Sequence, residues 1–290
     1  MKPAIKKSLL LTLRDKVSCS QGVQFVGSFF QNPSALMTTF FYVLPQTISK
    51  QKISEMWGED RSSIEALPPE IVEVFSLCGN VLKDKGFLAS QIRKIARKKQ
   101  TGTIQDIIRE GKDGLYDAIV FGKKGSNFLE DILYGNLGHE VLEKELAAPV
   151  WFCRDPDATR KNVLICLDGS PLGERVADHV GYILHGETHH SVTLLHIDKG
   201  QGVNQEKAFH DAIVMLKSYG LTDERIHTST VKALRVTNTL LESAEQGKFA
   251  AIAIGSVGRT ASMGICQRIV GAKCKNIFNE IEKTALWIVP

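Results

Sequence analysis

Residues 117–152, DAIVFGKKGSNFLEDILYGNLGHEVLEKELAAPVWF, determine how the rest of this sequence is interpreted. The apolar run at residues 118–121 stops at Gly122, which is typical of a buried parallel strand. A glycine-rich loop then leads into a helix whose apolar side chains fall on one face. Residues 150–152 form a further predicted strand, so the segment predicts a strand, loop, helix and strand unit.

The loop in this unit has the composition of a phosphate-binding loop. Gly122, Gly125 and Gly135 let backbone N–H groups approach an anion, and a helix that begins at Gly135 offers unpaired amides and the positive end of its dipole. Lys123 and Lys124 can neutralise phosphate charge. The alternative is that the glycines only form the turns between a strand and a helix.

The order of strand, G-x-x-G, nine residues, glycine and helix resembles the nucleotide loop of the universal stress protein family. In that family the last glycine is followed by Ser or Thr, whereas here Asn136 has this place and lacks the hydroxyl. The resemblance covers nearly the whole chain as two copies. It implies an α/β fold of two tandem, doubly wound, parallel five-stranded sheets of Rossmann-like type, with strand order 3-2-1-4-5.

Composition sets the broad class of the protein. A chain of 290 residues predicts two domains, and a net charge of +4 without a long single-sign run gives little support to a nucleic-acid partner. The six cysteines show no C-x-x-C spacing, which favours thiols in a reducing compartment. The first apolar run, residues 9–13, is too short for a membrane span. We therefore expect a cytoplasmic protein that binds neither membrane nor nucleic acid.

An internal repeat defines the two predicted domains, residues 1–154 and 155–290. Trp151 and Trp287 are 136 residues apart, whereas Leu10 and Leu164 are 154 apart. The falling offset places extra residues in the first half, where residues 45–69 form a polar, turn-rich insertion. Each half alternates strands and helices, which predicts parallel sheets. The predicted strands are 8–13, 36–44, 92–96, 118–121, 150–152, 163–167, 192–197, 226–232, 250–254 and 286–289.

In the second half, the resemblance implies a nucleotide site at the loops after the first and fourth strands. Asp168 would contact the nucleoside and Ile197 would line the base pocket. Gly255, Gly258 and Gly271 would hold the ribose and phosphates. This half departs from the motif, because twelve residues rather than nine separate its last two loop glycines.

That departure puts the phosphate contacts of the second half in doubt. Ala272 holds the Ser/Thr place, although Arg259 could supply a compensating charge. The first half departs differently, since its glycine spacing is intact but Arg14 occupies the place of the acid and Val43 ends the second strand. We expect the first half to retain phosphate contacts and the second to retain adenine contacts, with empty pockets as the alternative.

The implied function is a stress-response regulator that binds ATP or another adenine nucleotide, with or without Mg²⁺, and acts on a protein that the sequence does not identify. No catalytic residue or metal site is expected, and at most weak ATP hydrolysis. The strands at 150–152 and 286–289 would pair within the chain as a pseudo-dimer, and could also pair between chains. The alternatives are a nucleotide-independent dimerising scaffold and an adenine-nucleotide hydrolase, for which LDGSPLG lacks the glycine-rich, serine-bearing loop.

Three other features have structural interpretations. His185, His189 and His190 lack a matching cysteine or carboxylate cluster, so a solvated loop is favoured over a metal site. Cys166 lies in an apolar strand and is expected in the core. The basic residues at 93–99 are interpreted as the solvated edge of a strand or loop.

Overall fold

The computed structural model of this protein describes residues 5–14, 16–45, 67–122, 148–198, 200, 204–256 and 280–290. The strands are β1 (Lys7–Leu13), β2 (Leu36–Leu44), β3 (Ile92–Lys98), β4 (Ala118–Phe121), β5 (Val150–Phe152), β6 (Val163–Leu167), β7 (Val192–Asp198), β8 (Ile226–Lys232), β9 (Ala251–Gly255) and β10 (Ala285–Val289). The described α-helices are α1 (Lys16–Phe29), α2 (Pro69–Asp84), α3 (Thr103–Asp113), α4 (Leu172–Leu184), α5 (Gln205–Ser218) and α6 (Val236–Gln246).

The first five strands form a doubly wound parallel sheet in the order 3-2-1-4-5. The central strand β1 pairs with β2 on one side and β4 on the other, while β3 and β5 flank them. β4 is apolar and buried throughout, because helices cover both faces of such a sheet. Among the described strands, β3 is the outermost of this half, and its exposed residues include Arg93 and Lys98, which confirms the predicted solvated strand edge.

The second half repeats this arrangement and confirms the predicted fold class. β6 pairs with β7 and β9, β8 lies outside β7, and β10 lies outside β9, which again gives the order 3-2-1-4-5. The predicted insertion at residues 45–69 falls mostly outside the described residues, and its last residue already begins α2.

Matching glycine caps end the helix before the third strand in each half. Gly86 follows α2 with φ of 89°, and Gly220 follows α5 with φ of 91°. The left-handed conformation favours glycine, and the next residue then donates its N–H back to the helix. The Phe87 N–H donates to the Leu82 carbonyl, and the Leu221 N–H donates to the Leu216 carbonyl.

The two sheets join into one. β5 pairs antiparallel with β10, so the ten strands form a continuous sheet with a seam between these two strands. Trp151 faces Trp287 across the seam, with ring centroids 4.1 Å apart and planes 7° apart. Because β5 also pairs with β4, and β10 with β9, both edges of each seam strand are occupied within the chain.

Each face of the sheet carries its own apolar core. The larger core crosses the seam and joins residues such as Phe25 of α1 and Val176 of α4 to both tryptophans. The core of the other face lies under α3 and α6 and includes Cys166, at 6% exposure, as predicted. Because β5 and β10 are antiparallel, the strands of the two halves end on opposite sides of the sheet. We call each of these sides a carboxyl edge, as distinct from the outermost strands β3 and β8. Each edge can therefore hold a separate site.

Candidate functional site

The loop after β6 and the end of β9 come together at the carboxyl edge of the second half. Asp168 follows β6, and its carboxylate accepts a hydrogen bond from the Ser170 N–H at 3.0 Å. This short turn leads into α4, which begins at Leu172. A side chain at Gly255 would place its Cβ 2.8 Å from the Cβ of Leu172. The absence of a side chain at Gly255 therefore allows the end of β9 to lie against the start of α4.

Ile197 lies near the end of the neighbouring strand β7. Its side chain is buried at 4% exposure among the apolar residues under α6. The next residue, Asp198, is half-buried, and its side chain accepts a hydrogen bond from the Gly200 N–H at 2.7 Å. Ile197 therefore forms part of the core beneath this edge, and Asp198 presents the polar group beside it.

An open cavity of about 700 Å³ lies directly beside Asp198. Its walls come from the ends of β7 and β8 and the first turns of α6. The polar lining side chains are Asp198, Lys232, Arg235, Asn238, Thr239 and Glu242. The volume lies within the roughly 300–1,000 Å³ range of small-molecule sites. The sequence did not point to these residues, because no motif or regular spacing connects them.

A second, smaller cavity lies on the other face of the same edge. It has a volume of about 170 Å³ and is lined by Ser170, Glu174, Lys207 and Asp211, among others. This volume is below the usual range for a nucleotide-sized ligand. The larger cavity is therefore the better candidate for ligand binding.

The first half brings different side chains to its carboxyl edge. Arg14 is exposed immediately after β1, in the place that Asp168 has in the second half. Gly122 follows β4, and a Cβ at Gly22 of α1 would lie 3.6 Å from the Gly122 nitrogen. Val43 is half-buried in β2 and pairs with Arg97 of β3. A glycine in α1 thus lets the helix lie close to the end of β4.

The remaining predicted site residues lie outside the described residues. In the first half these are Lys123, Lys124, Gly125, Gly135 and Asn136, and in the second half they are Gly258, Arg259 and Gly271. The structure thus describes Asp168, Ile197 and Gly255 at one edge and Arg14, Val43 and Gly122 at the other.

His179 and Lys7 are buried ionisable groups at contacts between the two halves. His179 of α4 is buried, and its Nε2 accepts a hydrogen bond from the Trp151 indole N–H at 3.1 Å. Burial lowers the pKa of His179 to about 3, so this imidazole is neutral at physiological pH. The Lys7 ammonium donates to the His185 carbonyl at 2.7 Å, and burial lowers its pKa despite the nearby carboxylates of Glu187 and Asp117.

The prediction of a solvated histidine loop is wrong for His190. Its ring is fully buried and stacks on Phe29 of the first half at a centroid distance of 4.4 Å. Its Nδ1 lies 2.5 Å from the Lys161 carbonyl oxygen, and burial lowers its pKa. His189 is exposed as expected. Within the described ranges, no group of three or more His, Cys, Asp and Glu residues could hold a metal ion.

These features define a tandem, doubly wound α/β protein with one ligand-sized cavity described at the carboxyl edge of its second half. No protein-family model matches the chain, and no curated protein does so either. None of the helices in the described part of the chain is both long and apolar enough to cross a membrane.

Solved structures do match the fold. The chain is similar to a universal stress protein from Archaeoglobus fulgidus, with a TM-score of 0.67 and 14% identity over 98% of this chain and 96% of that one. It is also similar to a functionally unknown protein from Pseudomonas aeruginosa, with a TM-score of 0.53 and 16% identity over 98% and 92% of the two chains. The chain therefore has the tandem universal stress protein fold, as the loop motif predicts.

Proposed function

We propose that this protein is a tandem universal stress protein that binds an adenine nucleotide in its second half and acts as a regulator without catalysis. The cavity of about 700 Å³ beside β7 carries this proposal. Ligands of doubly wound sheets bind outside the carboxyl ends of the strands, at the point where the winding direction reverses. This cavity lies at the carboxyl ends of β7 and β8, next to that point between β6 and β9. Asp168 does not line this cavity, but it follows the adjacent strand β6 and supplies, at the same ends of the strands, a carboxylate that can accept hydrogen bonds from ribose hydroxyls.

The lining charges suit a phosphorylated ligand. Lys232 and Arg235 provide cations at one wall, and Asn238 and Thr239 provide hydrogen-bonding groups on the first turns of α6. Guanidinium and ammonium groups form strong, charge-assisted bonds to phosphate. Asp198, which pairs with Lys232 in the sheet, and Glu242 offset part of this positive charge.

Calorimetric titration of the full chain with adenosine, AMP, ADP and ATP tests the proposal. We expect Asp168→Ala to weaken adenosine binding by about tenfold, since a hydrogen bond to a charged group contributes about 1.5–3 kcal/mol. Arg235→Ala should weaken AMP and ATP binding and leave adenosine binding unchanged. The control variant is Asp223→Ala. Asp223 lies before β8, outside the cavity lining, and forms a salt bridge with Lys217.

The same titration separates the rival functions. Absence of binding by all four ligands would reject nucleotide binding and favour a scaffold. Mg²⁺-dependent release of phosphate would favour an enzyme. Association with a second copy of the chain would need a surface other than β5 and β10, because both edges of these strands are already paired.

A further inference from the structure

Asp198 lines the larger cavity at a place where a carboxylate weakens the binding of phosphate. It ends β7 and is half-buried, and its partner in the sheet is Lys232. Like charges repel at short range, so phosphate oxygens beside Asp198 would reduce the attraction from Lys232 and Arg235. A hydrogen-bond donor on the ligand is therefore a better neighbour for this carboxylate than a phosphate.

The turn that follows β7 holds the Asp198 side chain in place. Its Oδ1 accepts a hydrogen bond from the Gly200 N–H at 2.7 Å, and Gly200 has a left-handed φ of 74°, which favours glycine. An ionised carboxylate has about four lone-pair sites and no donor. One hydrogen bond within the turn thus orients the carboxylate and still permits it to accept from a ligand.

The order of charges along the carboxyl edge matches the order of groups in a nucleotide. Asp198 and Lys232 are paired residues on neighbouring strands, which lie about 4.8 Å apart. Their side chains can therefore bind adjacent parts of one ligand. The part of a nucleotide adjacent to its phosphate is the ribose, whose hydroxyl groups are hydrogen-bond donors. An acid also binds the ribose 2′-hydroxyl in dinucleotide-binding proteins of the doubly wound class.

Glu242, the other acid that lines the cavity, is less suited to this contact. It is exposed on the second turn of α6. A glutamate side chain has one more rotatable bond than aspartate, so ordering it against a ligand costs more conformational entropy. Asp198 is already half-buried and hydrogen-bonded, and it loses less freedom when a ligand binds.

We propose that Asp198 binds the neighbouring 2′- and 3′-hydroxyls of ribose and thereby selects ribonucleotides over 2′-deoxyribonucleotides. The two hydroxyls lie on one side of the sugar ring, where the two oxygens of a carboxylate can accept from both. The 2′-deoxy sugar lacks one of these donors. This inference rests on the proposed function, because it assigns a specificity-determining role within the same cavity.

Calorimetric titration of the full chain with AMP and with 2′-deoxy-AMP tests this role, since the two ligands have the same base and phosphate. We expect the natural protein to bind AMP about tenfold more tightly, as one charge-assisted hydrogen bond implies. Asp198→Ala should bring the ratio of the two affinities close to one. A role confined to the turn at Gly200 would instead weaken both ligands equally and leave the ratio unchanged.

Two further variants complete the experiment. Asp198→Asn keeps the size of the side chain, and it should also lower the ratio because a neutral carbonyl oxygen accepts more weakly than a carboxylate. The matched control is Asp211→Ala, which removes another half-buried acid, from the lining of the smaller cavity. It should retain the ratio of the natural protein. Circular dichroism should show that all three variants keep the α/β fold.

The outcomes separate this role from the proposed function. Equal binding of AMP and 2′-deoxy-AMP by the natural protein would overturn the role of Asp198 and leave nucleotide binding intact. An unchanged preference for AMP in Asp198→Ala would also overturn it, since another group would then recognise the sugar. Failure of AMP to bind the natural protein would reject the proposed function and this role together.

Discussion

The two halves of this protein have the same strand order but present opposite charges at the same place. The residue after the first strand is Arg14 in one half and Asp168 in the other, 154 positions apart. The interior differs less, although Phe25 of α1 corresponds at the same offset to His179 of α4. The comparison shows that the two halves keep the same strand order, while the side chains at their carboxyl edges and at the seam differ.

The largest expected effect concerns the stacked tryptophans. Trp151→Ala and Trp287→Ala should each lower the free energy of unfolding by about 3–5 kcal/mol, because both rings are fully buried. Trp151→Ala should cost more, since it also leaves His179 without its indole donor. Among the described residues, the Trp287 indole N–H has no hydrogen-bond partner to lose. Urea unfolding of both variants measures the difference, and a greater loss for Trp287→Ala would contradict this order.

The loss of folding stability in acid should depend on His179, since its counterpart Phe25 has no ionisable group. The folded pKa of about 3 lies below the unfolded value near 6.5, so the unfolded state takes up a proton first as the pH falls. Stability should therefore fall below pH 6.5, by up to roughly 1.4 kcal/mol per pH unit from this residue.

His179→Phe, which makes the second half resemble the first, should reduce that slope. It should also lower stability at neutral pH by about 1–3 kcal/mol, because the Trp151 N–H loses its acceptor. Urea unfolding from pH 7 to pH 4 measures both effects. The control variant is His189→Phe, because His189 is exposed. If His179→Phe leaves the dependence of stability on pH unchanged, His179 does not account for the acid sensitivity.

The glycines at the two edges should tolerate alanine differently. Gly255→Ala should cost about 1–3 kcal/mol, because its Cβ would meet the Leu172 Cβ at 2.8 Å. Gly22→Ala should change stability by less than about 1 kcal/mol, since a contact of 3.2 Å with Val120 offsets the better helix propensity of alanine. Thermal unfolding distinguishes the two, and equal losses would indicate that neither contact controls the packing.

The smallest expected effect on stability comes from exchanging the edge charges. The double variant Arg14→Asp, Asp168→Arg should alter the free energy of unfolding by less than about 0.5 kcal/mol, as surface changes usually do. Its ligand binding should change more, with weaker binding of adenosine. Calorimetry and urea unfolding on the same preparation measure this contrast. A large loss of stability would mean that these residues support the fold and not the sites.

Much of the fold could be predicted from the sequence because its signals are local. The strands at 36–44, 163–167 and 226–232 have the predicted bounds, since each is a short run in which apolar or β-branched residues predominate. The caps at Gly86 and Gly220 follow from the need for positive φ after a helix. Contacts between the halves could not be predicted in this way, because the burial of His190 depends on Phe29, 161 residues earlier in the chain.

The site could be predicted only in part. The loop resemblance pointed to Asp168 and Gly255, and the structure places both near the start of α4. The side chains that line the larger cavity come from connections after β7 and β8, whose residues follow no spacing rule. Lys232 and Arg235 become neighbours of Asp198 only through strand pairing.

The shared aromatic cluster at the seam determines how this protein can be divided. Phe25 from the first half and His179 from the second each contact both stacked indoles, so neither half encloses its own tryptophan. A chain cut between Arg154 and Arg160 would give two fragments, each with a bare seam strand and an uncovered indole. Such fragments should fold only when they are mixed, because each then covers the exposed seam strand and indole of the other. The recovery of folded structure would therefore measure how well the two fragments associate.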